Sequence, residues 1–293
     1  MLTLFTTAKA FNGHNALIQR NALKSWALLR PQVEVLLFGS DDGSAEIAQE
    51  LGFRHIPSVA CNDYGTPLIG DIFEQAQKLA ANPIVCYINA DIVLFDDFLP
   101  AVKYASEQRR QFLMVGQRTD LDVTEPITFD PGWEEKWKSI ATRDGKLHGK
   151  GGVDYFVFPK GALGPIPAFA IGRGVWDNWL MYRARSRNIA FIDATPAVQC
   201  IHQNHDYKHI ADGKDNTYLG PEREVNLQLG GGKRCMLTLD QITDTLSPNK
   251  DSYRLTEIPT SERIISTIVY HPVLGPMALK LVEARRTLLR RSA

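Results

Sequence analysis

The chain has no run approaching the roughly 18 to 20 apolar residues that a membrane-spanning helix requires. It has no excess of either charge: Lys+Arg and Asp+Glu both number 33, so the formal net charge is zero. That removes the broad basic surface with which nucleic-acid-binding proteins hold phosphates, and no nucleic-acid partner is expected. Cysteine is scarce. Cys61, Cys86, Cys200 and Cys235 are the four, and no pair has metal-site or redox-motif spacing. Cys86 and Cys200 lie in apolar runs and read as small core hydrophobes, which fits a reducing compartment. The first residues read as a strand rather than as the charged and apolar regions of a signal peptide. Internal repeats are absent. The expectation is a cytoplasmic protein, with a peripheral membrane contact left open.

What is present is ordinary in amount and informative in order. The 293 residues are 44% hydrophobic and 23% charged, enough for a full core. Strand patterns at 2–6, 33–38, 54–56, 84–88 and 112–116 alternate with helical patterns at 15–29, 44–51, 67–81 and 98–107. In the second helix pattern's predecessor, Leu17, Leu23, Trp26 and Ala27 form the apolar stripe and Asn15 is the expected cap. Such alternation predicts an α/β fold with a Rossmann-like, mostly parallel central sheet flanked by helices. The second half is less regular. Strands are expected at 153–158, 189–192 and 197–202, and a helix at 175–186. Residues 119–149 are polar and interrupted by Pro126 and Pro131, and read as a mobile lid with a short helix around Trp133 and Trp137.

Residues 84–95 carry the clearest signal. A short unbroken apolar run after Pro83 suits a central strand covered on both faces, and it leads straight into Asn89-Ala90-Asp91. Burying an unanswered carboxylate there costs several kcal/mol, roughly, unless a cation or hydrogen bonds meet it. Asn-x-Asp at a strand's carboxyl end can hold an oxygen-loving divalent metal and a sugar hydroxyl side by side. The alternative is that Asp91 caps the next turn.

Other polar groups fall at similar places. Thr6 and Thr7 follow the first strand, with Lys9 in the loop beyond. Asp41 and Asp42 follow the second strand, where an acid can meet a nucleobase imide or a ribose hydroxyl, or simply form a turn. Thr66 and Asp71 flank a helix start whose N–H groups could meet phosphate, with capping as the alternative. Gly152 lets backbone approach a ligand, and Asp154 enters an apolar strand and needs a partner, an Arg being the structural choice. Asp177 opens a helix beside Trp176 and Trp179. It is either a cap or a general base in a site where indoles stack on sugar. His202 and His205 follow a strand, and imidazole with a carboxylate and phosphate oxygens suits Mn²⁺.

Taken in this order, the motifs resemble those of the GT-A glycosyltransferases of the family-2 type, over about residues 1–210. The resemblance implies that Asn89-Ala90-Asp91 stands for the Asp-x-Asp motif, with Asp91 on Mn²⁺ or Mg²⁺ and Asn89 facing the ribose or sugar. It places Asp41 and Asp42 at the nucleobase. It makes Asp177 the catalytic base and His202 or His205 the late metal ligand. Thr6, Thr7, Lys9, Thr66, Asp71 and Asp154 would belong to the donor side, Gly152, Trp176 and Trp179 to the acceptor side. Asn89 departs from the usual Asp, and Trp176-Asp177 from the usual Glu-Asp. The implied domain runs over 1–255, with a nucleotide half at 1–118 and an acceptor and metal half at 119–255, followed by a helical tail at 256–293.

The expected activity is transfer of a sugar from a UDP- or GDP-type donor to a hydroxyl of a glycan, lipid or small molecule, metal-assisted and inverting. Two alternatives stay open: a sugar-phosphate nucleotidyltransferase, and an inactive nucleotide-sugar or glycan-binding module. Residues 279–291 place Leu281, Leu288 and Leu289 among Lys280, Arg285, Arg286, Arg290 and Arg291. They read either as a helix docked by its leucines or as a weak, salt-sensitive membrane contact.

Overall fold

Alternating side chains along a strand point to opposite faces, and in this chain each face has its own core. In a computed structural model that describes residues 2–205, 220–259 and 261, the first half runs β1 (Leu2–Thr7), α1 (Gly13–Leu28), β2 (Glu34–Phe38), α2 (Ser44–Leu51), β3 (Arg54–Ile56), α3 (Ile69–Leu79) and β4 (Ile84–Ile88). There follow β5 (Ile92–Leu94), α4 (Phe98–Gln108), β6 (Phe112–Val115), β7 (Thr119–Leu121), α5 (Trp133–Asp144), β8 (Lys146–Leu147) and β9 (Tyr155–Pro159). The chain continues through α6 (Trp176–Ser186), β10 (Ala190–Asp193), β11 (Cys200–Gln203), α7 (Pro221–Leu229), β12 (Asp244–Asn249) and β13 (Ser252–Glu257). The basic segment at 279–291 lies outside the described residues. Among those described, no helix is long and apolar enough to cross a membrane.

Nine strands form the main sheet in the order β13-β12-β10-β6-β9-β4-β1-β2-β3. It is parallel except for β9, inserted antiparallel beside β4 and β6, and for β13, which returns antiparallel on β12. The α/β expectation therefore holds, and one sheet joins the two halves. In β4, Cys86 and Ile88 face a core with Leu23 and Trp26 of α1 and Val102 of α4. Val85 and Tyr87 face the other, with Phe73 of α3 and Met181 of α6. Cover on both faces is why β4 reads as continuously apolar.

A second sheet, β5-β11-β7-β8, stands beside the first. It takes in 119–149, and the short helix expected around Trp133 and Trp137 is present there. That segment supplies β7, α5 and β8, and α5 packs Trp133, Trp137 and Ile140 onto a third core of Phe95, Leu121, Val123, Ile127 and Ile201. Its polar composition belongs to the outer face of α5, a helix with Ala141 as its one fully buried residue. At the other end of the chain Asn12, not Asn15, is the N-cap of α1, and its side chain makes no capping bond.

Helix α1 holds β5 by hydrogen bonds as well as by packing. Trp26, fully buried, donates from Nε1 to the Ile92 carbonyl at 2.8 Å, and Ser25 Oγ accepts from the Leu94 N–H at 3.1 Å. Trp26→Phe leaves that carbonyl unpaired, so urea unfolding should show a loss of about 1–3 kcal/mol. A change within about 0.5 kcal/mol, the range of inert surface substitutions, would mean the bond does not anchor β5.

Candidate metal and donor site

Register brings the candidate ligands together. After β4 the chain turns at Asn89-Ala90-Asp91, closed by Ile92 N–H on the Asn89 carbonyl at 3.2 Å. It re-enters as β5, where Ile92 lies opposite His202 of antiparallel β11. On the other side of β11, His202 lies opposite Asp120 of parallel β7. Three strands thus set Asp91, His202 and Asp120 side by side. Buried Gln203 locks the arrangement, donating to the Asp91 carbonyl at 3.0 Å and the Ile18 carbonyl at 2.7 Å and accepting from Asn21 at 2.9 Å.

Asp91 Oδ2 is 3.1 Å from His205 Nε2 and 3.6 Å from His202 Nε2. One ligand atom from each of the three residues falls within 4.8 Å of the others. Asp91 Oδ1 is buried without a hydrogen-bond partner. An orphaned carboxylate oxygen beside two imidazoles is what a divalent cation would satisfy, so the residues present fit a metal. Burial alone would raise the Asp91 carboxyl, but His202, His205 and Lys9 hold it well below the ordinary carboxylate range. Burial alone would lower His202, but Asp91 and Asp120 outweigh it and the net shift is upward.

Behind these ligands lies a second tier that the sequence reading missed. Asp120 Oδ1 accepts from Arg118 Nε at 2.9 Å and lies 3.1 Å from His202 Nδ1, while Asp120 Oδ2 is 2.6 Å from His148 Nδ1. The other arm of Arg118 is paired with Asp154 Oδ2. Asp154 Oδ1 accepts from Asn89 Nδ2 at 2.6 Å, and its carbonyl accepts from Asn89 N–H at 2.9 Å. Asp154 thus takes the Arg-paired alternative and holds Asn89. Gly152 serves the same tier. A Cβ there would lie 2.2 Å from His148 Cδ2 and 2.6 Å from His148 Nε2, so only glycine leaves room for the ring to reach Asp120. The available signal was Arg118-Thr119-Asp120, charges placed just after a strand as Asn89-Ala90-Asp91 is.

Asp177 sits in the first turn of α6 after a strained approach: Gly174 has φ 65° and Val175, a β-branched residue, φ 78°. Non-glycine residues hold that conformation at a cost of order 1–3 kcal/mol where the surroundings fix it. Burial pushes the Asp177 carboxyl up to about 6, against the Asn178 N–H and with Asp154 adding to the rise. Burial raises the Tyr87 hydroxyl, and the charges of Asp91, Asp154 and Asp177 add to that rise.

The remaining predicted residues divide. Lys9 acts on Asp91, and its backbone N–H and carbonyl are both bonded to Gln19, at 2.7 and 2.9 Å. Thr7 ends β1 opposite Phe38. Exposed Asp41 and Asp42 follow β2, and the Asp42 carbonyl accepts from Phe11 N–H at 2.7 Å, so these loops share the sheet edge. Partial desolvation lifts the Asp41 carboxyl above its ordinary value although the residue is largely exposed, with Asp42 adding. Five of the predicted residues have structural surroundings of their own. Trp176 and Trp179, only 6% and 7% exposed, belong to the core against Tyr87, Phe156 and Phe169 and offer no open face to a sugar. Thr6 is fully buried and donates to the Thr7 carbonyl. Asp71 accepts from Ala60 N–H and Gln75 Nε2, both at 2.8 Å, which fastens the loop before α3. Thr66 is buried 3.5 Å from Arg173 Nη2, in a separate cluster where Glu222 accepts from Asn62 at 2.7 Å and Arg173 at 2.5 Å. A cleft of about 750 Å³ is lined by Asp97, Gln117, Cys200 and Tyr253 among others. None of the proposed metal ligands lines it, and the chemistry is assigned to the carboxyl end of β4 instead.

No family model matches the chain, and no curated protein sequence does either. Solved structures do. One is S. aureus TarS 1–349 in complex with UDP-GlcNAc, at 11% identity and a TM-score of 0.50, covering 78% of this chain and 65% of that one. The chain thus spans less than two thirds of that relative. Another is glucosyl-3-phosphoglycerate synthase from Mycobacterium tuberculosis with Mn²⁺, UDP and phosphoglyceric acid, at 15% identity and a TM-score of 0.48, covering 88% and 87%. At such identity the likeness is one of fold, and the fold is GT-A.

Gly152→Ala is expected to cost about 1–3 kcal/mol in urea unfolding, the usual range for overpacking. His148→Ala in the same chain should remove most of that cost, because the clash is with the His148 ring. Additive losses in the double-mutant cycle would show that the ring does not occupy this place.

Proposed function

We propose that the chain is a glycosyltransferase that moves a sugar from a nucleotide-diphosphate donor to a hydroxyl acceptor. The observation that carries this reading is the convergence of Asp91, His202 and His205 at the carboxyl end of β4, the edge where ligands of α/β sheets gather. The UDP-GlcNAc held by TarS favours a UDP-type donor.

In this reading residues 1–118 receive the nucleotide. Asp41 and Asp42 meet the base, Thr7 and Lys9 line the way to the diphosphate, and Asn89 faces the ribose or sugar. Residues 119–255 supply the imidazoles and the acceptor side. A bound divalent cation would neutralise charge on the diphosphate leaving group. Asp91, His202 and His205 would hold it, and two imidazoles in the set favour Mn²⁺ over Mg²⁺, which prefers all-oxygen sites. Asp177 takes the proton of the acceptor hydroxyl. Its carboxyl, lifted to about 6, is ionised at neutral pH yet more basic than a solvated Asp. Attack on the face opposite the diphosphate inverts the anomeric configuration.

The nucleotidyltransferase alternative needs a glycine-rich loop after β1 with free N–H groups. Residues 6–13 contain one glycine, and the Lys9 N–H is bonded to Gln19. That works against it. The inactive-module alternative rested on Asn89, but the metal-ligand set does not depend on that residue.

The test is release of nucleoside diphosphate from a panel of UDP- and GDP-sugars with Mn²⁺, with and without acceptor mixtures. No turnover or hydrolysis of any donor would sink the reading. Asp177→Asn should lower kcat by about 10² to 10⁴ with donor affinity little changed. A base works above its pKa, so wild-type turnover should fall as pH drops through about 6 and level off above it. A variant with near-normal turnover returns Asp177 to the role of helix cap.

A further inference from the structure

Resting on the metal reading above, we propose that Asp120 is the positioning carboxylate of the metal centre, and that Asn89 is the residue its supporting chain requires. Asp120 fixes His202 from behind. Arg118 and Asp154 extend the hold to Asn89 by hydrogen bonds, and the ion-pair contacts of His202 with Asp120 and Asp91 carry it to the other end of the Asn89-Ala90-Asp91 motif.

The chemistry of imidazole gives the first argument. A neutral ring that offers Nε2 to a cation carries its proton on Nδ1, and that N–H needs an acceptor. His202 turns Nε2 toward Asp91, and Asp120 Oδ1 lies 3.1 Å from its Nδ1, an ion-pair contact and not yet a hydrogen bond: Nδ1 is buried without a partner, and Asp120 is the acceptor within reach once the ring carries its proton there. Carboxylates in that place fix the tautomer and ring orientation of a ligating histidine. Asp120 is itself fixed, by Arg118 Nε at 2.9 Å on one oxygen and His148 Nδ1 at 2.6 Å on the other. The strand register that sets His202 opposite Asp120 makes the pairing a property of the sheet and not of two free side chains.

Charge gives the second. The cluster holds three carboxylates, Asp91, Asp120 and Asp154, against the guanidinium of Arg118, with Lys9 acting on Asp91. A divalent cation adds positive charge beside the Asp91 Oδ1 oxygen, which has no hydrogen-bond partner.

The third concerns Asn89. Its Nδ2 donates to Asp154 Oδ1 at 2.6 Å. An aspartate in its place would set carboxylate against carboxylate at that distance, and the Arg118 that could answer it is already shared between Asp154 and Asp120. The departure from Asp-x-Asp is therefore what the buried Asp154 demands, and restoring the acid should harm the site.

Mn²⁺ alone, titrated into the full chain and followed by EPR, reads this directly, with pulsed EPR counting histidine nitrogens on the ion. Wild type should bind Mn²⁺ with two such couplings, and Asp91→Ala should abolish binding. Asp120→Ala should weaken affinity about 10- to 100-fold and lose one coupling. Asp120→Asn keeps an oxygen for Nδ1–H and should recover much of the loss, a rescue that mere packing would not reproduce in the nitrogen count. Asn89→Asp should melt at lower temperature and bind Mn²⁺ no more tightly. If Asp91→Ala loses Mn²⁺ while Asp120→Ala binds like wild type with both couplings, the role of Asp120 is wrong and the metal reading stands. If wild type binds no Mn²⁺, both fall. Tighter Mn²⁺ binding by Asn89→Asp would overturn the account of Asn89.

Discussion

A carboxylate at the end of a strand buried on both faces must be answered, because water reaches it poorly and an unpaired charge there costs several kcal/mol, roughly. Asp91 is that carboxylate, and much of the second half of the chain is arranged around it. His202 and His205 stand on one side, Lys9 acts from another, and the Oδ1 oxygen is left for a cation. The same demand spreads outward. Asp120 stands 3.1 Å from His202 Nδ1, Arg118 answers Asp120 and Asp154, and Asn89 answers Asp154. Partly buried charges such as these are tolerable because neighbouring groups share them.

The small sheet is the device that makes this possible. β5 leaves the main sheet directly after Asp91, and β11 and β7 then pair in a register that stacks His202 between Asp91 and Asp120. Helix α1 holds β5 from the other side through Trp26 and Ser25, and Asn21 holds Gln203. Catalytic groups on paired strands with locked neighbours are placed more precisely than groups on loops. Asp177 is placed differently, by a strained turn at Gly174 and Val175 that ends against the second core.

The nucleotide half was legible because its signals are local. Period-2 apolar runs such as β4, and amphipathic helices such as α1, announce themselves within a dozen residues. The cluster of Asp91, His202 and His205 was legible because their type and their place near strand ends agree. What could not be read was partnership across distance. The pairings Arg118–Asp154, Asp120–His148 and Asp120–His202 span 28 to 82 residues of chain, a distance visible only through strand register. Trp176 and Trp179 misled for the converse reason. Aromatics beside a candidate base suggest sugar stacking, but here the periodicity of α6 turns them into the core. In residues 119–149 the helix around Trp133 was legible, whereas β7 and β8, three and two residues long, are too short to show a period.

The central claim is that Asp91, His202 and His205 form one metal centre against which a nucleotide diphosphate sits. The most direct measurement is a crystal structure grown with Mn²⁺ and UDP, with anomalous scattering to locate the ion. The account predicts an anomalous peak within bonding distance of an Asp91 oxygen and of Nε2 of His202 and His205, with the diphosphate on its open side. A diphosphate bound elsewhere, or a peak away from these three side chains, would contradict it.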